Sequence, residues 1–129
     1  MSVAYRSIEA IDLPFSPGAA VSWFDACALD DIPVACGVAV FLEGRQIALV
    51  RPTDDHRVFG LSNFDPFSEA FVISRGIVGD KGGRPKIASP IFKQSFDLQT
   101  GECFDDPAVR LPVYPVRVRE GRVEVGIPT

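Results

Sequence analysis

"ASPIFKQSFDLQTGEC", residues 88–103, decides how this chain is read. Its second half, within residues 93–104, sets Thr100-Gly101 between two strand-like runs. A turn that ends in a left-handed residue wants glycine at that point. A hairpin is expected there, with Gly101 at positive φ. The first half, "ASPIFK", shows no strand alternation and reads as a loop leading into the hairpin. A comparable loop, "SNFDPFSEA" (62–70), lies some twenty residues upstream. The two read as paired loops that hold something between them, yet neither carries an obvious ligating residue.

Outward from these loops the pattern is mostly β. "GVAVFLEGRQIALVR" (37–51) alternates apolar residues on both sides of Glu43-Gly44-Arg45, as a hairpin does. In "VRVREGRVEVGI" (116–127), Val116, Val118, Val123 and Val125 share one face. Arg117, Arg119, Arg122 and Glu124 share the other, and Glu120-Gly121 makes the turn. "FVISRGIVGD" (71–80) and "RPKIAS" (84–89) flank a glycine-rich tip. "PGAAVSWFDACALDDIP" (17–33) allows a short helical turn, while Trp23 to Cys27 reads equally well as a strand. The 11 prolines limit helix elsewhere. Short, regularly spaced strands indicate a small all-β sandwich or barrel, read as a single domain over 1–129.

The 129 residues fit one ordinary domain, and 47% of them are apolar, enough for one core. The net charge of −4 argues against nucleic acid as a partner. No apolar run approaches a membrane span, and "MSVAYRSIEA" lacks the order of a signal peptide. No membrane association is expected, and the cytoplasm is the expected compartment. Cys27, Cys36 and Cys103 are an odd set without framework spacing, which suits free thiols.

Each candidate for chemistry has a plainer reading. Asp54-Asp55-His56 could furnish a base or a metal site, but follows Pro52 between strands and reads as a solvated loop. Asp105-Asp106-Pro107 is a turn. "GIVGDKGG" (76–83) lacks the Lys-Ser/Thr and the helix that a phosphate loop needs, so it reads as a hairpin tip. His56, the single histidine, makes neither a triad nor a metal site with three scattered cysteines. Cys103 has no basic neighbour to activate it and reads as buried filler. No catalytic residue is identified.

The paired loops resemble those of the Rieske iron–sulfur domain. That family has Cys-x-His on a first loop and Cys-x-x-His on a second, followed by a Phe-Asp-Leu-x-Thr-Gly turn. Here "DPF" (65–67) and "SPIF" (89–92) fall on the loops, and "FDLQTG" (96–101) matches the turn. The resemblance spans about 20–127. It implies an all-β fold of small stacked antiparallel sheets. It also implies that Asp65, Phe67, Ser89 and Phe92 occupy the four ligand positions. A Rieske centre needs two thiolates and two imidazoles, and phenylalanine cannot coordinate. A chain without the cluster is expected, its cavity refilled by the rings of Phe67 and Phe92. Asp65 and Ser89 would cap their own loops.

One branch of that family carries the same letters: Asp-Pro-Phe, then Ser-Arg-Gly-x-x-Gly-Asp, then Ser-Pro-x-x-Lys-Gln-x-Phe-Asp-Leu-x-Thr-Gly. This chain has "DPF", "SRGIVGD" (74–80) and "SPIFKQSFDLQTG" (89–101). The match is to the small subunits of assimilatory NADH-dependent nitrite reductase. The resemblance implies a non-catalytic accessory chain without a cofactor of its own. Its large partner subunit would carry FAD, an iron–sulfur cluster and sirohaem. Alternatives are a cluster-less adaptor for another oxygenase or reductase, or a residual electron carrier. Phe64, Ile91 and Lys93, beside the ligand positions, are candidate docking residues, the alternative being that Phe64 and Ile91 pack inward.

Overall fold

The computed structural model describes residues 20–129. The reading of 1–129 as one domain, and the start of the 17–33 stretch, therefore reach outside the described residues. Twelve strands are described: β1 (Val21–Ala28), β2 (Cys36–Leu42), β3 (Arg45–Arg51), β4 (Phe59–Ser62), β5 (Phe64–Asp65) and β6 (Ala70–Phe71), then β7 (Ile77–Lys81), β8 (Arg84–Ala88), β9 (Ser95–Asp97), β10 (Val113–Tyr114), β11 (Val116–Arg119) and β12 (Arg122–Pro128). They form small antiparallel sheets in the orders β1-β12-β11, β10-β4-β3-β2, β5-β6 and β7-β8-β9. The expected all-β stack is the architecture observed.

β3 is the spine. It lies between β2 and β4, and Ile47, Ala48, Leu49 and Val50 are all fully buried. Successive residues of a strand point to opposite faces, so one strand feeds two cores. Ile47 and Leu49 pack with Val123, Val125 and Ile127. Ala48 and Val50 pack with Ile73, Ile87, Phe96 and Leu98. Each large aliphatic chain buried this way contributes about 1.5–3 kcal/mol relative to exposure.

Three expected hairpins close with two-residue turns, shown by the pairs Leu42↔Arg45, Lys81↔Arg84 and Arg119↔Arg122. Arg45 therefore opens β3 rather than belonging to the turn. The valine face of β11–β12 lines the first core, and its other face is charged as expected. There Arg117 lies 2.6 Å from Glu124 and stacks 4.0 Å over Trp23, while Arg122 reaches Asp25 at 2.6 Å. Trp23 to Cys27 is strand, and the helical turn follows it at Leu29–Asp31.

Two features bear directly on the loops. Residues 71–80 are not one strand, because a helical turn at Ile73–Arg75 interrupts them. Asn63 causes the break: its carbonyl accepts from Ile73 N–H at 3.1 Å and its side chain from Ser74 N–H at 2.8 Å. Ile73 thereby enters the second core. At the other loop, Gly101 has φ +80°, as expected. A β-carbon there would also strike the carbonyl oxygen of Leu111. Among the described residues no helix is long and apolar enough to cross a membrane.

Candidate functional site

The first loop is organised by one carboxylate. Asp65 ends β5, and its Oδ1 accepts from Phe67 N–H at 2.9 Å. Its Oδ2 accepts from Ser68 Oγ at 2.8 Å, and its carbonyl accepts from Glu69 N–H at 2.7 Å. The side chain of a residue before proline thus closes its own turn, as expected. The second loop is closed by Ser89, whose N–H donates to Gln94 O at 2.8 Å and whose Oγ accepts from Ile91 N–H at 3.3 Å.

The loops meet through the same two residues. Ser89 Oγ donates to Asp65 Oδ2 at 2.5 Å. Asp65 is fully buried and Ser89 is 1% exposed. A buried charge survives only when hydrogen-bonded, and here three donors converge on the Asp65 side chain. The two positions that the Rieske resemblance assigns to thiolates are joined by a direct hydrogen bond.

The other two positions part company. Phe67 is half-buried, its ring 6.2 Å from that of Phe96. Phe92 is 59% exposed, so it does not refill the interior as expected. The Asp65–Ser89 hydrogen bond joins the loop bases directly, and residues 90–93 beyond it are exposed. Phe64, one of the docking candidates, takes the inward alternative: it is 4% exposed and packs edge-on against Phe71 at 5.0 Å. Phe71, its partner across β5–β6, is the more exposed ring at 40%. Ile91 is exposed, and so is Lys93, at φ +68°.

The donor set at the four positions is two oxygens and two phenyl rings. Oxygen is a hard ligand, poorly matched to an iron–sulfide core. The cysteines lie elsewhere: Cys27 in β1, Cys36 in β2, and Cys103 in the second core. Burial pushes the Cys27 and Cys103 thiols up, Asp31 adding to the effect at Cys27. His56 is exposed among Asp54, Asp55 and Arg57, with Asp55 bound to Thr53 and Arg57. Its loop is solvated, as expected. No cluster of three or more His, Cys, Asp or Glu suited to a metal occurs among the described residues.

Residues 22–126 match the family model of the Rieske-like [2Fe-2S] domain. The nitrite reductase (NADH) small subunit of Escherichia coli K12 is 40% identical over 103 residues, covering 80% of this chain and 95% of that one. The chain belongs to the family of Rieske-like nitrite reductase small subunits. A crystal structure from Mycobacterium tuberculosis, described as an NADH-dependent nitrite reductase small subunit, superposes with a TM-score of 0.79 at 52% identity. It covers 83% of this chain and 96% of the other. In Klebsiella oxytoca, a chain named the nitrite reductase [NAD(P)H] large subunit is 43% identical over 104 residues. That match is 81% of this chain and 11% of the longer polypeptide.

Sequence reasoning missed Arg75, Ile77 and Lys86, which line a cleft with the second loop, and Phe71 beside the first. Ile77 is 72% exposed at the start of β7, a place where a five-residue strand gives no clear alternation. Its only sequence signal was an apolar residue between Gly76 and Val78.

Proposed function

We propose that this chain serves an NADH-dependent nitrite reductase as its small, non-catalytic subunit, without a cluster of its own. It supports a large subunit that carries FAD, an iron–sulfur cluster and sirohaem and reduces nitrite to ammonium. Free cysteines fit a reducing cytoplasm. Membership of the small-subunit family supports the role, and the Klebsiella large subunit containing a similar segment supports the association.

The observation that carries the cluster-less reading is the Asp65–Ser89 hydrogen bond. It ties together the side chains that would have to part around an iron. Phe67 and Phe92 offer no lone pair to a second iron. The loops are thus a shaped tip rather than an electron relay. That tip presents Phe71, Ile91, Phe92 and Lys93 to solvent. An apolar patch edged by charge has the composition of an interface. Phe64 supports it from beneath.

Co-expression with the large subunit tests this. A complex should survive gel filtration, and omission of the small chain should lower NADH-dependent nitrite reduction. Full activity of the large subunit alone, with no complex, refutes the reading.

A further inference from the structure

A cleft of about 410 Å³ opens between the β7–β8 hairpin and the second loop. Arg75, Ile77, Lys86, Ser89, Pro90 and Lys93 line it. None of its lining residues is acidic. This is unusual for a chain of net charge −4. Six cations elsewhere, Arg51, Arg57, Arg84, Arg110, Arg117 and Arg122, each have a carboxylate partner. Arg75 and Lys93 have none among the described residues, and Lys86 Nζ only donates to Ser95 Oγ at 3.2 Å. Ser89 also donates to Asp65, so the cleft reaches the junction of the two loops.

Apolar residues rim the same opening. Ile77 and Pro90, both in the lining, are exposed, Ile77 at 72%, and Ile91 and Phe92 follow Pro90 in the same loop at 44% and 59%. Three cations facing one opening that no acidic residue lines repel one another. An arriving carboxylate relieves that repulsion, and the relief is larger once water is excluded. The exposed isoleucines supply the apolar area that excludes it.

We propose that this cleft receives an acidic segment of the large subunit, with carboxylates at Arg75, Lys86 and Lys93 and an apolar side chain against Ile77. The proposal rests on the small-subunit reading and adds the chemistry of the contact. It makes the side of the tip, not only its end, part of the interface. Electrostatic steering then contributes to association, so the affinity falls as salt rises.

The test measures binding of purified large subunit to the chain at low and high salt. Arg75→Glu/Lys93→Glu should weaken association about tenfold or more and flatten its salt dependence. Ile77→Ser should weaken it while leaving the salt dependence intact. Arg75→Gln/Lys93→Gln, the milder change, keeps the test informative if the double reversal unfolds. Arg119→Glu, on the β1-β12-β11 sheet, should change nothing. Unaltered binding by the folded cleft variants overturns the cleft proposal while the small-subunit reading stands. Failure of the wild-type chain to bind the large subunit overturns both. A homodimer of the chain that Arg75→Glu/Lys93→Glu dissociates, seen by sedimentation, assigns the cleft to a second copy and also overturns the proposal.

Discussion

At the scale of the residue, Asp65 holds the two loops. It accepts from one backbone N–H and two hydroxyls through its side chain, and it is fully buried. Asp65→Ala leaves all three donors without that acceptor. The expected cost is about 3 kcal/mol, because hydrogen bonds to charged groups are the stronger kind and buried donors are expensive to orphan. Ser89→Ala removes one donor and one weak acceptor and should cost about 1 kcal/mol. Urea midpoints of the two variants check the order. An Asp65→Ala loss no larger than that of Ser89→Ala contradicts the central role given to the carboxylate. Phe64 is the second residue-scale case. Buried against Phe71, it should behave as core: Phe64→Ser should lower stability by about 3–5 kcal/mol. Thermal melting of the isolated chain reads this, and an unchanged midpoint would return Phe64 to the surface.

Among elements, what was legible followed local chemistry. The β2–β3 and β11–β12 hairpins announce themselves by alternation around Glu-Gly pairs. The turn after β9 announces itself by Thr100-Gly101, although in place of the expected second strand a single bridge, Phe96↔Cys103, closes it. What was not legible depends on contacts between distant segments. Ile73–Arg75 turns helically because Asn63, ten residues earlier, takes its N–H groups. The two-residue strands β5 and β6 are too short to show alternation, so nothing local tells that Phe64 is buried and its cross-strand partner Phe71 exposed. Arg84 shows how such elements are locked together. From β8 it reaches Asp97 at 2.6 Å and Glu102 at 3.2 Å, and it stacks 4.7 Å over Phe104. Asp97 is 1% exposed, while the Arg84 side chain is about half exposed, so the gain is partly screened. Arg84→Ala should still cost about 1–2 kcal/mol by leaving a buried carboxylate short of a donor. Arg84→Lys should recover little, since a single ammonium cannot span both carboxylates and stack on the ring. Chemical denaturation of the pair decides this: full recovery by lysine would mean that charge alone matters.

For the whole molecule, the question is whether a frame shaped like a cluster-binding domain holds metal. The fold by itself does not answer it, because fold and site are separable. The proposed answer, that it does not, draws on the site residues. Two of the four positions are hydrogen-bonded to each other, and two are phenylalanines, one of them 59% exposed. The purified chain is therefore expected to be colourless, with no stoichiometric iron or sulfide. Loss of a cluster during purification would give the same first observation, so a reconstitution step separates the cases. Anaerobic incubation with iron and sulfide, followed by gel filtration, should leave the wild-type chain without visible absorbance. Its melting midpoint should also stay put, because a metal that bound only the native state would raise it by mass action. Iron held loosely on surface carboxylates is stripped by a chelator without effect on that midpoint. Visible absorbance that travels with the chain, together with a raised midpoint that a chelator reverses, would place a genuine metal centre in this fold. The Asp65–Ser89 bond would then have to open to admit it.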